Sequence, residues 1–285
     1  MTENEKYNIV QSNQFIQETQ WNMKIDTLKI FKLLISRIDT KNPPKDNTIQ
    51  ITKKEILNIL EGFNSAKKYD LYTYARSRLK DLITGVKVYD DENREIYVSL
   101  IQKVIWEKKN EVITCKFSEE VIPYLIVANR FLQYPVENIR GFRSKYGIIF
   151  YENLYSRQKQ YQTGQFTISI DKLRYITDTE KKYPRFDNWE RNVLKAGIDD
   201  LNKSGVEILV KYEKVKDGRN VSDIVFFIRK RTSYKETKYE EVLNPSFLIR
   251  NNNDDVIETK ASIKQEVKQE ELNLFDDDVL TDYPF

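Results

Sequence analysis

The 285-residue chain contains no histidine, and its only cysteine is Cys115. Without histidine, the chain cannot form a His-dependent triad, a zinc site that needs His ligands, or the His-pair metal site of rolling-circle nickases. A single cysteine cannot form an internal disulfide, which suits a reducing cytoplasm. Because Cys115 lies in the alternating apolar run 112–117, we expect it to be a small core residue.

The chain also lacks long apolar runs. No stretch approaches the roughly 18 consecutive apolar residues of a membrane helix, and the N-terminus is charged without an apolar signal region. We therefore expect a cytoplasmic protein with no membrane partner. Hydrophobic residues nevertheless make up 40% of the chain and aromatic residues 12%, which is enough to form folded cores.

Motifs of catalysis are missing too. None of the eight glycines begins a phosphate-binding loop with its following lysine. The pair Asp199-Asp200 is a poor metal site, because adjacent helical residues point about 100° apart, and the run Asp276–Asp278 lies in an acidic tail that water can solvate. The sequence therefore predicts a protein that is not an enzyme and that needs no cofactor or metal.

The net charge of +3 hides a strong asymmetry. Residues 236–285 hold 13 acidic and 5 basic residues, which leaves 31 acidic and 42 basic residues in 1–235. A basic body favours a polyanionic partner such as DNA. Composition alone is equally compatible with scattered surface charge.

The basic body reads as two similar halves. In the first, apolar residues recur at helical spacing from Ile25 to Ile38, and a capping box, Thr52 to Glu55, begins a second helix after a short strand. A longer helix is predicted from Ser65 to Ile83. Strands follow at Val86–Tyr89, Ile96–Trp106 and Val112–Phe117, and then a short helix near Glu119–Val127.

The second half repeats this order. A helix through Tyr146 and Leu154 leads to a strand, Phe166–Ile170, and we expect Asp171 to cap the next short helix. A long helix follows at about 187–203 and ends at Ser204-Gly205. The last two strands, Val206–Val215 and Val221–Arg229, flank an Asp-Gly turn that is a strong hairpin signal.

The order helix, strand, helix, helix, hairpin is that of a winged helix-turn-helix. We therefore predict an α+β fold with two tandem winged-helix domains and a disordered acidic C-terminal tail. The predicted boundaries are an N-terminal segment at 1–21, a first domain at 22–130, a second domain at 131–232, and the tail at 233–285.

The long helix of the second half has the side chains expected of a recognition helix. A projection at about 100° per residue places Leu194, Ile198 and Leu201 on one face and polar side chains on the other. Arginine and lysine suit guanine, and asparagine suits adenine, in the major groove. Basic side chains in the hairpin would contact phosphates; the alternative is an ordinary solvated helix face. The candidate DNA-binding residues are Arg185, Asn188, Arg191, Asn192, Lys195, Lys214, Lys216 and Arg219.

The first half gives a weaker form of the same pattern. Ala75, Leu79 and Leu82 are predicted to face inward. Apolar residues on both faces of Ile96–Trp106 indicate a core on one side and a partner on the other, which makes a homodimer a further expectation. The outward residues that could contact the DNA backbone are Tyr69, Thr73, Arg76 and Lys80.

Several segments together resemble one known family, the replication initiator (Rep) proteins of theta-replicating, iteron-containing plasmids. The resemblance covers about residues 9–230, and it depends on the order and spacing of the segments more than on any one of them. The helix Ser65–Ile83 and the tail depart from the family pattern. The matching segments are Ile9–Ile16, Lys145–Leu154, Phe166–Ile176, Phe186–Ile198 and Lys216–Arg219.

The resemblance implies two winged-helix domains that bind repeated double-stranded sites at a plasmid origin and promote origin opening. It also implies recruitment of host replication proteins, control of plasmid copy number, and dimers formed through the first domain. By this likeness, the main base contacts fall on Asn188, Arg191, Asn192 and Lys195. One alternative is a winged-helix transcriptional regulator without initiator activity, and a second is a DNA-nicking Rep enzyme. The sequence does not give the repeat sequence, its spacing or the host range.

A short apolar cluster lies near the end of the acidic tail. The pentapeptide Glu271–Phe275 resembles the Gln-Leu-Ser/Asp-Leu-Phe motif with which bacterial proteins bind the replicative sliding clamp, although glutamate replaces the usual glutamine. A flexible tether would present a few apolar side chains to a pocket on the clamp; the alternative is an apolar patch that docks on the body. The candidate clamp-binding residues are Glu271, Leu272, Leu274 and Phe275.

Overall fold

The strands and helices of the chain form two successive sets with one shared plan. A computed structural model describes residues 7–60, 68–83, 85–90, 95–107, 109–127 and 129–232. The predicted acidic tail, with the candidate clamp-binding residues, lies outside the described residues, as does the side chain of Tyr69.

The first set extends from residue 8 to residue 139. Its elements are β1 (Asn8–Ser12), α1 (Asn13–Glu18), α2 (Ile25–Ile35), β2 (Thr48–Thr52), α3 (Lys53–Ile59), α4 (Lys68–Asp81), β3 (Gly85–Asp90), β4 (Glu95–Ser99), β5 (Ile101–Trp106), β6 (Val112–Phe117), α5 (Ile122–Leu125), β7 (Phe131–Pro135) and a 3₁₀ turn, Val136–Ile139.

The second set follows directly. Its elements are α6 (Lys145–Tyr161), β8 (Gln165–Ser169), α7 (Ile170–Ile176), α8 (Phe186–Trp189), a π-helical stretch (Glu190–Lys195), α9 (Ala196–Lys203), β9 (Ile208–Asp217) and β10 (Asn220–Lys230). Trp189, Lys195 and Ala196 all keep right-handed helical dihedrals, so residues 186–203 form one continuous helix, called the recognition helix below.

The two sets share a sheet topology. In the first, the strand order is β2-β6-β5, and in the second it is β8-β10-β9. In both, the strand before the helix pair joins antiparallel to the last strand of the hairpin. This confirms two winged-helix domains in an α+β fold.

Local capping explains where the first helix of each pair begins. Thr52 and Glu55 form the predicted capping box, in which the hydroxyl of Thr52 accepts the backbone N–H of Glu55 at 3.2 Å. In the second domain the prediction is wrong: Ser169, not Asp171, is the N-cap and accepts the N–H of Lys172 at 3.2 Å. Asp171 lies inside the first turn, where its negative charge suits the helix dipole.

A second correction concerns the long predicted strand Ile96–Trp106. It is two strands, β4 and β5, which belong to different sheets. The chain bends at Leu100, which is fully buried and whose carbonyl accepts the N–H of Ser118 at 3.3 Å. The hairpin β3–β4 is therefore an addition between α4 and the winged-helix strand β5.

Cores form as the apolar pattern predicts. Cys115 is a buried free thiol whose pKa burial raises to about 12, which confirms it as a core residue. In the second domain the side chains of Phe150 and Trp189 are almost fully buried. No helix among the described residues is long and apolar enough to cross a membrane.

The N-terminal strand β1 pairs antiparallel with β7, so that Asn8 lies opposite Pro135. This pairing joins the start of the chain to the segment between the two winged helices. The four domain boundaries given above stay a prediction.

Candidate nucleic-acid interface

The recognition helix has one buried and one exposed face. Trp189, Val193, Leu194, Ile198 and Leu201 are at most 4% exposed. This confirms the inward face of the predicted helix. The five polar candidates Arg185, Asn188, Arg191, Asn192 and Lys195 are all exposed.

The middle of the recognition helix is wound more loosely than the sequence predicts. Its π-helical stretch contains Arg191, Asn192 and Lys195, whereas the projection assumed 3.6 residues per turn throughout. π-helical turns are rare and occur often at functional sites. The exposed face nevertheless keeps the predicted members, because Val193 and Leu194 still anchor the opposite side in the core.

The exposed side chains make only weak contacts with one another. The amide of Asn192 donates to the carbonyl of Asn188 at 2.7 Å, and Lys195 lies 3.3 Å from Asp199. Arg185 lies 3.6 Å from Asp187, and the side chains of both are more than three-quarters exposed. Exposed ion pairs contribute little to stability, so these groups can exchange their internal contacts for contacts with a ligand.

A set of hydrogen bonds fixes the turn that leads into the recognition helix. The guanidinium of Arg174 donates to the carbonyls of Lys182 and Tyr183 at 3.0 and 3.1 Å and lies 5.2 Å from the ring centroid of Trp189. The indole N–H of Trp189 donates to the hydroxyl of Thr179 at 2.9 Å. These contacts set the angle at which the recognition helix begins.

The wing of the second domain is the β9–β10 hairpin, and it projects basic side chains. Lys214, Lys216 and Arg219 are exposed. Gly218 has φ of +60°, which the tight turn requires and which glycine adopts without strain. Glu190 of the recognition helix binds Lys214 at 3.1 Å, so the wing and the helix are held side by side.

Glu190 has a second partner in the wing. The hydroxyl of Tyr212 donates to its carboxylate at 3.1 Å, and burial, reinforced by this carboxylate, raises the pKa of Tyr212. Tyr212 therefore stays protonated and keeps donating at neutral pH.

The structure brings all eight predicted residues of the second domain onto the recognition helix, its start and the wing. Sequence reasoning missed Lys181 and Lys182, two exposed lysines in the turn just before the recognition helix. Lys182 binds Asp178 at 2.9 Å. The basic pair, which Tyr183 separates from Pro184, was a signal available in the sequence, since lysines beside a recognition helix suit phosphates.

The corresponding helix of the first domain, α4, also has a polar outer face. Thr73, Arg76 and Lys80 are exposed, whereas Ala75 and Leu79 are fully buried. This confirms the predicted orientation of the helix. Whether these residues contact DNA stays a prediction.

No group of three or more histidine, cysteine or acidic side chains among the described residues is placed to hold a metal ion. Fold and surface together therefore define a class: a protein with two tandem winged-helix domains, of which the second presents a polar recognition helix beside a basic wing.

Comparison with known proteins gives the family. Residues 8–155 match the model of the initiator replication protein WH1 domain, and residues 169–228 match that of the initiator Rep protein WH2 domain. The chain belongs to this family of initiator replication proteins.

The chain is also similar to one curated protein and to two solved structures. A replication initiation protein of Escherichia coli is 31% identical over 120 residues, which are 41% of this chain and 37% of that protein. The crystal structure of the Pi initiator protein in complex with iteron DNA has a TM-score of 0.60 and 18% identity, and the match covers 81% of this chain and all of that one. Domains 2 and 3 of RctB give a TM-score of 0.44, 12% identity, and coverage of 72% and 82%.

Proposed function

We propose that this protein is a cytoplasmic, non-enzymatic plasmid replication initiator that binds repeated double-stranded sites at an origin, promotes origin opening and recruits host replication proteins. The observation that carries the proposal is the exposed face Asn188–Lys195 beside the basic wing. Its support comes from the family, from the E. coli relative named as a replication initiation protein, and from the Pi initiator, which was crystallised with iteron DNA.

The chemistry of the side chains assigns different roles to the recognition helix and to the wing. Asparagine and arginine side chains on the recognition helix have the donors and acceptors that read base edges in the major groove. Lysine and arginine side chains in the wing and in the turn before the helix carry positive charge, which attracts phosphates whatever the base sequence. We therefore assign specificity to the recognition helix and most of the salt-dependent affinity to the wing and turn.

Plasmid maintenance tests the proposal directly. The gene and its flanking DNA are cloned in a vector whose own origin does not work in the test host, and transformants are selected. An initiator sustains the plasmid, and the matched gene with Asn192→Ala and Lys195→Ala does not. Repression of a promoter without plasmid maintenance would instead indicate the transcriptional regulator, and relaxation of supercoiled plasmid with Mg²⁺ or Mn²⁺ would indicate a nicking enzyme.

Alanine at Lys216 or at Arg219 is expected to weaken binding to all DNA sequences similarly. Each substitution removes about one phosphate contact, so the slope of log K against log[salt] should fall by about one. Fluorescence anisotropy with a cognate and a random duplex, over a salt series, measures both quantities. Lys230→Ala is the matched control, because Lys230 is exposed at the far end of the same hairpin. If a substitution changed the preference for the cognate over the random duplex but left the salt slope unchanged, the side chain would contact bases rather than phosphates.

We further propose that the first domain forms the homodimer contact through the face of β5 and β6. β5 is an edge strand of its sheet, and Ile105 and Val112 are 39% and 37% exposed. Ile105→Lys is expected to shift a concentration series in sedimentation velocity toward the monomer, because a desolvated lysine is costly in an apolar contact. Identical sedimentation of both proteins would exclude this face.

The proposal extends to the sliding clamp as a host partner of the tail. A peptide of residues 265–285 is expected to bind the host clamp, and Leu274→Ala with Phe275→Ala is expected to abolish binding, because these side chains would fill the apolar pocket. The control peptide has Val279→Ala and Leu280→Ala, which removes two apolar residues outside the motif. Fluorescence anisotropy measures the affinity, and no binding of the wild-type peptide at about 100 μM would contradict the assignment.

A further inference from the structure

A buried ion pair joins α2 of the first set of elements to α6, the first helix of the second set. Lys32 Nζ of α2 lies 2.8 Å from Glu152 Oε2 of α6, and their side chains are 0% and 1% exposed. Gln11 bridges the pair: it accepts from Lys32 at 2.6 Å and donates to Glu152 at 3.0 Å. The hydroxyl of Tyr134 also donates to Glu152. We call Gln11, Lys32, Tyr134 and Glu152 the buried cluster.

The cluster is unusual because its charges are fully buried, whereas other polar contacts across this junction, such as Gln17 to Ser156 at 3.1 Å and Lys145 to the carbonyl of Trp21 at 2.8 Å, are between partly exposed or uncharged partners. Taking two charges out of water costs several kcal/mol for each ion, and apolar side chains of similar volume are often as stable or more so. Charged hydrogen bonds, unlike apolar contacts, have defined directions and distances. A fully bonded charged cluster between two helices therefore fixes their relative placement more tightly than apolar contacts would.

On the first-domain side, α2 also supports the outer helix α4. The hydroxyl of Thr27 in α2 donates to Asp81 of α4 at 3.2 Å. The hydroxyl of Tyr74 in α4 donates to Asp26 of α2. The helix that holds Lys32 is thus bonded to the helix that exposes Thr73, Arg76 and Lys80.

On the second-domain side, α6 lies directly against the recognition helix. Gly197 packs so closely on α6 that an added Cβ would lie 2.6 Å from the ring of Phe150. At the start of α6, the backbone N–H of Ser144 donates to Asp200 at 2.9 Å. The buried cluster therefore completes a continuous path from α4 through α2 and α6 to the recognition helix.

We propose that Lys32 and Glu152 are positioning residues that hold α4 and the recognition helix at one fixed offset, so that the protein measures the spacing between two half-sites of a DNA repeat. This inference rests on the proposed function and requires both helices to contact bases, because a helix that contacts only phosphates would bind the inserted duplex equally well. The buried pair would then determine specificity without touching a base. Because the protein is rigid, it would bind tightly only to repeats in which the two contacted segments lie the right distance apart.

The test compares duplexes that differ only in half-site spacing. Three duplexes are compared. They are an origin repeat identified by footprinting, the same repeat with five base pairs inserted at its centre, and the isolated half of the repeat that the second domain binds. For the wild-type protein, the insertion should lower affinity about tenfold or more, which corresponds to the loss of one good base contact. For Lys32→Met with Glu152→Met, the intact and inserted duplexes should bind within about twofold of each other and of the isolated half.

The outcomes separate this inference from the proposed function. A wild-type protein that binds none of the duplexes contradicts the proposed function, and the positioning role falls with it. A wild-type protein that binds intact and inserted repeats equally overturns only the positioning role. A double variant that keeps the wild-type ratio of affinities for the intact and inserted duplexes overturns it too, because the other contacts at the junction would then hold the two helices in place.

Two further variants keep the test decisive. Tyr134→Phe removes one hydrogen bond to Glu152 without opening a cavity, and it should reduce the discrimination against the inserted duplex, by about threefold, even if the double variant does not fold. Cys115→Ser is the control for general loosening, because Cys115 is fully buried in the first domain and is not part of the cluster. This control should keep the wild-type ratio of affinities for the intact and inserted duplexes. If it lost that ratio, the positioning role would be overturned.

Discussion

Replacing Asn192 and Lys195 together with alanine is expected to abolish specific DNA binding and to leave the fold intact. Both side chains are exposed on the recognition helix, and their internal contacts are a hydrogen bond to the carbonyl of Asn188 and an exposed ion pair with Asp199. Alanine is also a better helix former than asparagine. The free energy of unfolding should therefore change by less than about 1 kcal/mol.

Binding should change far more. Each lost base contact costs about 1–3 kcal/mol, so the pair together weakens binding to the cognate repeat by roughly 30-fold to 10⁴-fold. Binding to random DNA should fall only through the loss of one positive charge. Footprinting at moderate salt measures the first effect, and anisotropy with a random duplex measures the second.

Lys203→Ala is the matched control for this variant. Lys203 is an exposed lysine on the same helix, but it lies at the C-terminal end, whereas the N-terminal part of a recognition helix enters the groove. This control should bind the cognate repeat almost as the wild type does. An unchanged footprint for the double variant, or an equal loss in the control, would show that the recognition-helix assignment is wrong.

Features set by neighbouring residues were predictable from the sequence. The capping box at Thr52 depends on two side chains three residues apart, and the turn of the wing depends on the conformational freedom of Gly218. The faces of the recognition helix follow from apolar spacing within one element. The order of such local elements was sufficient to predict two winged helices and a polar, exposed face on the recognition helix.

Features that depend on contacts between distant parts of the chain could not be predicted from the sequence. The strand Ile96–Trp106 is mostly apolar, with Ser99, Gln102 and Lys103 as its polar members. Only the pairing of its two parts with different partners shows that it is broken at Leu100. The buried cluster joins residues from β1, α2, β7 and α6. Its signal was a charge on each apolar stripe: Lys32 lies four residues after Leu28, and Glu152 lies four after Ile148. Periodicity shows that such charges are buried, but not with which partner.

Removing one member of the buried pair is expected to be among the most destabilising single changes in the protein. Glu152→Met leaves Lys32 fully buried without its carboxylate, which typically costs about 3–5 kcal/mol. Adding Lys32→Met should recover part of this loss, because no charge then remains in the buried cluster. Gln11 and Tyr134 still lose their partners, so the double variant should stay about 1–3 kcal/mol below the wild type.

The pH dependence of Glu152→Met has a defined sign. Burial already lowers the pKa of Lys32, and Glu152 is the group that opposes this shift. Without Glu152 the folded-state pKa falls further below the unfolded value of 10.5, so the unfolded state binds more protons between the two values. The single variant should therefore be least stable relative to the wild type at neutral pH and regain stability as the pH rises toward 10.5. Urea unfolding of the wild type, Glu152→Met and the double variant from pH 7 to 10 measures this. Two results would contradict this account: a double variant that is less stable than Glu152→Met, or a single variant whose loss of unfolding free energy does not shrink as the pH rises. Either would show that the unpaired charge of Lys32 is not the cause of the destabilisation.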